Sequence, residues 1–538
     1  MSFEPLHKTE VYPKLQQNAR RLEESEFSLQ HLLKADHRFD THSRTLQSPG
    51  GKFFFDFSRQ RLDDIVFSQL MDLADQSGAL NLFAHMCKGF KVNTTESRPA
   101  LHILSRLPSA LADDSPLENK KSELNRVQDA ISQYTRKVRD GRITGTTGKS
   151  FKHAVVVGIG GSYLGCEFVY TALRQGIKPE IALHFLSNVD IDNFQTVLDA
   201  IDPEETLWII ISKSYSTPET LANQAQVLEL LDRKGLSPKD HLVTVTAKKD
   251  AAQGQTFFMF DYIGGRYSVS SAVGGLPLCL AYGDRVFEAF LKGCHDMDEH
   301  ALTAPARDNI PLIAALINIW NSQFLGYSAK AIIPYSYSLS KLPAHIQQLY
   351  MESLGKCVTC EGEFLPAPAG SIVFGEPGSN AQHSFFQLAH QGKGFPIEFI
   401  GVLKPGFAGE QHKADHITNH QELWANLMAQ ARALAMGKES QSPERTFSGN
   451  RPSSILVIED LSPWSIGCLT AYYEAKTVME GFIMGVNPFD QFGVELGKSI
   501  AGEIREYIKD RNQDKMPRHC PDPATEFYLN AVFRGSLS

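Results

Sequence analysis

Four short apolar runs, separated by helix-length stretches, constrain this chain more than any other feature. HAVVVGIGGS from His153, IALHFLSN, TLWIIISKS and HLVTVTA read as buried strands that feed turns. β-branched runs alternating with helices make βαβ units, whose parallel sheet is covered on both faces. A helical stretch from about Asp284 to Phe324 interrupts the rhythm, which restarts with AKAIIPYS, SIVFGE, PIEFIGVL and SILVIED. KLPAHIQQLYMESLGK, SNAQHSFFQLAHQG and the run from Pro463 to Met484 read as helices. The result is two α/β units in tandem, with no low-complexity linker and no short repeat. Residues 1 to about 110 are mostly helical in pattern, with QSPGGK (Gln47 to Lys52) as a loop. The carboxyl-terminal stretch, with Pro517, Pro521 and Pro523, reads as an arm packed on the body.

Composition narrows the function classes. The 538 residues allow about two to four domains. Lys and Arg number 53 against 61 Asp and Glu, a formal charge of −8 that does not suit a broad nucleic-acid surface. A small anionic substrate remains compatible, because a few cations in a cleft outweigh a distant net charge. Eight cysteines are sparse; Cys357 and Cys360 alone are close, half a zinc site at best, and read as reduced thiols. The amino terminus shows no secretory signal, and stretches such as Ile310 to Ile317 fall short of the ~20 residues that span a bilayer. A soluble, cytoplasmic protein is expected, with neither membrane nor nucleic acid as a partner.

Several glycine-rich segments fail as nucleotide or nucleophile motifs. Tyr163 stands where a dinucleotide fingerprint needs its third glycine. Leu164 spoils a GxSxG elbow around Ser162, and Gly493 to Ser499 is one residue short of a Walker A loop. His295-Asp-Met-Asp-Glu-His300 matches no metal-site spacing and reads as a solvated loop or helix end. No dinucleotide, nucleoside triphosphate or metal is expected.

Phosphate chemistry is the positive signal. Ser212-Lys213-Ser214-Tyr215-Ser216-Thr217-Pro218 joins the TLWIII strand to an amphipathic helix, with Thr217 as N-cap and Pro218 in the first turn. Free amides and the positive dipole end of a helix suit a phosphate monoester. Gly160-Gly161-Ser162 offers similar chemistry, and both turns can face one crevice beyond the strand ends. Candidate acid–base and charge-stabilising groups follow. Glu352 lies four residues after Gln348 on one helix face, His383 follows a Gly-Ser-Asn turn, and Arg266 follows Gly264-Gly265. Gln491 and Lys498 are seven apart and are expected to share a helix face. Each has an ordinary alternative, such as a surface carboxylate, a core histidine, a domain-tying ion pair, or a Lys498–Glu495 pair.

These segments together resemble the phosphoglucose isomerase family. VVVGIGGSYLG, SKSYSTPET, GGRYSVSSAVG, QQLYMESLGK, FGEPGSNAQHSFFQLAHQG and NPFDQFGVELGK look like its signatures in the family order, over roughly residues 155 to 500. The resemblance implies an α/β fold of two sugar-isomerase-type αβα sandwich domains with parallel-rich sheets. The divisions are a helical segment over 1–110, sandwiches over 111–283 and 284–500, and an arm over 501–538. It implies a homodimer with shared active sites, no cofactor, and interconversion of glucose 6-phosphate and fructose 6-phosphate in glycolysis and gluconeogenesis. Glu352 matches the base that moves a proton between C2 and C1. His383 and Lys498 match groups serving ring opening and the sugar oxygens, with His383 supplied by the partner chain. Arg266 matches the cation beside the enediolate. Gln348 and Gln491 match substrate contacts, as do Gly161 and Gly265, and Ser162, Ser212, Lys213, Ser214 and Thr217 match the phosphate site. The sequence departs from the family pattern at Tyr163, where Asp is common, at Leu349-Tyr350 for Gly-Asp, and at Leu354 for Asn.

The chemistry is coherent. Taking a proton beside a carbonyl needs a positioned carboxylate and fixed cations for the charge that develops. The phosphate anchors a remote part of the sugar and helps orient the reacting end. A relative acting on mannose 6-phosphate or an amino-sugar phosphate is the nearest alternative. A non-catalytic sugar-phosphate sensor is another, but it has no need of Glu352, His383, Arg266 and Lys498 together.

Overall fold

The apolar runs become two parallel-rich sheets in the computed structural model, which describes every residue except 1–4, 107–114, 249–253, 408, 410–412, 514, 516–519, 521 and 538. In chain order the strands are β1 Ser43–Ser48, β2 Gly51–Asp56, β3 His153–Val157, β4 Ala182–Leu186, β5 Thr206–Ile211, β6 Leu242–Thr246, β7 Gln255–Phe258, β8 Ala329–Tyr335, β9 Ile372–Phe374, β10 Ile397–Val402, β11 Lys413–Ala414, β12 Ile417–Thr418 and β13 Ser453–Ile458. Five of them form an all-parallel sheet in the order β4-β3-β5-β6-β7. Six form a second sheet, β1-β2-β13-β10-β8-β9, in which β13, β10, β8 and β9 run parallel. Central strands β5 and β6 are buried at every position, which is why they read as runs of apolar and β-branched residues.

The amino-terminal segment does more than pack helices. β1 and β2 pair antiparallel, and β2 pairs antiparallel with β13, so this segment completes the second sheet. The expected loop at 47–52 is the turn and flanking ends of that hairpin. The run at 378–391 is two short helices, Gly378–Gln382 and Phe386–Gln391, with His383 at the break.

The chain divides into two units, Met1–Phe489 and Asp490–Ser538. The helix Pro463–Met484 is buried along almost its whole length and is apolar on all sides, the signature of a central helix. Two of its few charged residues, Glu474 and Lys476, are paired inside the first unit, as burial of a charge requires. In the second unit, Glu495–Asn512 and Pro523–Arg534 are helical. Pro517 and Pro521 lie outside the described residues.

The cluster at 295–300 is neither a solvated loop nor a free helix end. It lies within the helix Asp284–Thr303, and Asp298 is buried against Arg106. Arg106 Nε donates to Asp298 Oδ2 at 2.7 Å, and Nη2 pairs with Glu474. Burial pushes the Asp298 carboxyl up to about 7 and raises that of Glu474 as well. Among the described residues, no group of three or more His, Cys, Asp or Glu could hold a metal ion.

Candidate active site

Two turns at the ends of adjacent strands define the crevice. β3 leads into the Gly160–Ser162 turn and β5 into the Ser212–Thr217 loop, and β3 pairs with both β4 and β5. The chain passes from β3 to β4 on one side and then to β5 on the other, so strand order reverses there. Open parallel sheets bind ligands at such a switch point. The two turns are in contact range, since a Cβ on Gly158 would lie 2.8 Å from Ser162 Cβ and 3.0 Å from the Ile211 carbonyl oxygen.

The loop after β5 presents backbone donors. Tyr215 has a left-handed backbone, with φ of 51°, and its amide donates to Ser212 Oγ at 3.1 Å. Ser216 Oγ donates to Ser214 Oγ at 2.8 Å. Thr217 occupies the N-cap of the helix Pro218–Arg233, as expected, but its hydroxyl caps no amide. The amides of Glu219 and Thr220 have no acceptor among the described residues, which leaves an anion-binding end open. Lys213 Nζ donates to the carbonyls of Asp261 at 2.7 Å and Ile263 at 2.8 Å, tying this loop to the segment that carries Gly265.

Gly265 is where the second turn meets the first. A Cβ on Gly161 would lie 2.3 Å from the Gly265 carbonyl carbon, so no side chain fits at 161. Ser268 Oγ fastens the junction, 2.7 Å from the Gly265 carbonyl oxygen and 3.2 Å from that of Gly161. Gly160 has φ of 58°, and a Cβ there would lie 2.9 Å from Gln348 Nε2.

The same junction aims Arg266 at Glu352. Arg266 is 2% exposed, and its guanidinium donates to Glu352 Oε1 at 2.8 Å, to Ser353 Oγ at 2.6 Å and to the Pro488 carbonyl at 2.7 Å. Glu352, on the helix Leu342–Leu354, keeps a side-chain exposure of 22%. Its Oε2 accepts from Gln348 Nε2 at 3.0 Å, the one-turn pairing that the spacing suggested. Gln348 Oε1 is shielded from solvent and has no hydrogen-bond partner among the described residues. A carboxylate oriented by a cation and an amide, open at one side beside turns with hydroxyls and open amides, can exchange a proton with a bound small anion.

The structure therefore brings together Gly161, Ser162, Ser212, Lys213, Gly265, Arg266, Gln348 and Glu352. His383 is exposed, and its ring has no hydrogen-bond partner among the described residues. Gln491 and Lys498 belong to the second unit. They do not share a helix face, because Gln491 precedes the turn Phe492–Val494 with φ of −153° and Lys498 lies in Glu495–Asn512. Lys498 is exposed and forms no ion pair with Glu495 among the described residues.

Sequence reasoning missed Ser353, Tyr267 and the Pro488 carbonyl. Tyr267 OH lies 2.9 Å from Ser353 Oγ and donates to the Pro488 carbonyl at 3.2 Å, so the three fix the Arg266 fork from behind. The signal for Ser353 and Tyr267 was their adjacency to Glu352 and Arg266 in sequence; the Pro488 carbonyl, distant from both, left none.

One pH effect arises from this geometry. Burial pulls the Lys213 ammonium from its usual 10.5 down to about 8. The cation is present below that value and lost above it. Affinity for inorganic phosphate is therefore expected to fall above about pH 8, by up to about tenfold per pH unit. Calorimetric titrations across that range check this. Lys213→Arg should abolish the break, and a wild-type affinity flat to about pH 10 would detach Lys213 from the cradle.

Fold and site define an α/β protein with a turn suited to a small anion beside a positioned carboxylate. The family model for phosphoglucose isomerase matches residues 56–525. The chain is 52% identical to a glucose-6-phosphate isomerase of Desulfosudis oleivorans, over 97% of both chains. It is 42% identical to a cytosolic glucose-6-phosphate isomerase of Clarkia williamsonii, covering 85% of this chain and 84% of that one. The crystal structure of a glucose-6-phosphate isomerase from Chlamydia trachomatis superposes with a TM-score of 0.87 at 34% identity, covering 99% of this chain and 100% of that one. The chain belongs to the phosphoglucose isomerase family.

Proposed function

We infer that this protein interconverts glucose 6-phosphate and fructose 6-phosphate, serving glycolysis and gluconeogenesis. The observation that carries this is the Glu352 carboxylate, held between Arg266 and Gln348 at the switch-point crevice. The phosphate rests on the hydroxyls and amides of Ser162, Ser212, Ser214 and Thr217, with Lys213 behind them. Once the ring is open, Glu352 takes the proton from C2 of the aldose and delivers a proton to C1, either that one or one exchanged with solvent while it is held. The C–H pair becomes the C1=C2 bond and the carbonyl pair moves onto O1, where Arg266 faces the enediolate charge; as C1 is protonated, the O2 hydroxyl proton passes to O1 and C2 becomes the carbonyl. For Gln491 as a substrate contact, and for Lys498 as a group serving ring opening and the sugar oxygens, the assignment rests on the NPFDQFGVELGK motif alone. A cytoplasmic setting agrees with the cytosolic names of the plant relatives. Among the described residues, no helix is long and apolar enough to cross a membrane. A coupled assay with fructose 6-phosphate in excess chelator tests the reading. Full activity is expected, and activity that needs an added divalent ion would overturn the metal-free chemistry.

A homodimer with shared sites is part of the same reading. Its support is that His383 stands exposed at a helix break with its ring unpartnered, as a residue lent to a second chain would be. Co-expression of Glu352→Gln with His383→Ala distinguishes the cases. If each site takes one residue from each chain, a mixed dimer has one doubly altered site and one intact site. Random mixing makes about half the dimers mixed, so roughly a quarter of wild-type activity should return. No recovery, with mixed dimers demonstrated by differential tags, would reject sharing.

A further inference from the structure

We propose that a second cavity in the first unit binds a small zwitterion of the apolar α-amino acid class. Three helices surround it: Ser115–Arg139, Ala272–Tyr282 and Asp284–Thr303. On the face of the middle helix toward the cavity stand Ala272, Gly275 and Cys279, side chains too small to close the gap between its neighbours. The space left is about 350 Å³, within the size range of small-molecule sites. None of the residues lining it belongs to the Glu352 site.

Its walls combine three chemistries. Ile131, Cys279 and Phe287 are buried and give an apolar floor. Gln128 Nε2 is shielded from solvent without an acceptor, and Arg136 uses Nη2 on Asp284 while its other N–H groups have no acceptor among the described residues. Asp129 and Glu288 are exposed carboxylates without an ion-pair partner among the described residues. A hydrocarbon would leave Gln128 unmet. A phosphate ester would meet Asp129, Asp284 and Glu288 against the single cation of Arg136. An apolar α-amino acid answers all three, with its carboxylate on Gln128 and Arg136, its ammonium facing both Asp129 and Glu288, and its side chain on the floor.

L-phenylalanine is the probe, followed by calorimetry and saturation-transfer NMR on the full chain with saturating fructose 6-phosphate present. Millimolar binding is expected, unaffected by the sugar phosphate. Phenethylamine and hydrocinnamate, which each lack one charge, should bind at least ~5-fold more weakly, as should L-phenylalanine to Gln128→Leu and to the surface variant Glu288→Gln. No binding, displacement by fructose 6-phosphate, equal binding of the one-charge analogues, or unchanged affinity in folded Glu288→Gln would each overturn the proposal.

Discussion

Glu352→Gln should lower turnover by at least ~10²-fold while leaving substrate affinity largely intact. Glutamine keeps the shape of the side chain: its oxygen can accept from Arg266 Nη1, and its amide nitrogen can donate to Gln348 once that amide turns its oxygen inward, where the carboxylate now accepts at 2.8 Å and 3.0 Å. What disappears is the proton acceptor. Steady-state kinetics in both directions read the effect, and near-normal turnover would remove Glu352 from the proton-transfer role.

Arg106→Met is expected to cost about 3–5 kcal/mol of stability, because it strands two buried carboxylates. Asp298 and Glu474 share this guanidinium, and all three side chains are at most 1% exposed. The pH dependence follows from sign. With the cation gone, burial raises both carboxyls further, so the folded state holds protons that the unfolded state has released. Stability then falls as pH rises, and the loss should be greater at about pH 8 than at about pH 5. Chemical unfolding at both values measures it. A loss under about 1 kcal/mol at both would mean that the site relaxes around the deletion. The His102 ring, on the same short 3-10 helix as Arg106, packs 4.7 Å from that of Tyr267 behind Arg266.

Strands β3, β5, β6, β8, β10 and β13 were legible because burial on both faces demands runs made mostly of β-branched and apolar residues. β1 was not, since an edge strand of sequence SRTLQS carries no such run and gains its place from the antiparallel hairpin. The Gly160–Ser162 and Ser212–Thr217 turns were legible because phosphate chemistry leaves a local mark of glycines and hydroxyls. Their convergence with Arg266 and Glu352 was not, because it depends on a Gly161–Gly265 contact between segments 104 residues apart in number. Arg106, Asp298 and Glu474 were invisible for the same reason, as isolated charges that become a cluster only by packing.

The departure at Tyr350 has a packing reason. Its hydroxyl donates to Glu480 Oε1 at 2.6 Å, and the Lys330 ammonium lies 3.3 Å from its ring centroid. Tyr350 thus anchors the buried side of the helix whose other side presents Glu352 and Gln348, so the change leaves those two residues in place.

Proton transfer through Glu352 is tested most directly by incubating fructose 6-phosphate with the protein in deuterium oxide and following C1 of the ketose and C2 of the aldose by NMR. The wild-type protein should place solvent deuterium at both positions, and Glu352→Gln should place none over the same time. Isomerisation or uptake undiminished in Glu352→Gln would contradict a carboxylate at position 352 as the proton carrier.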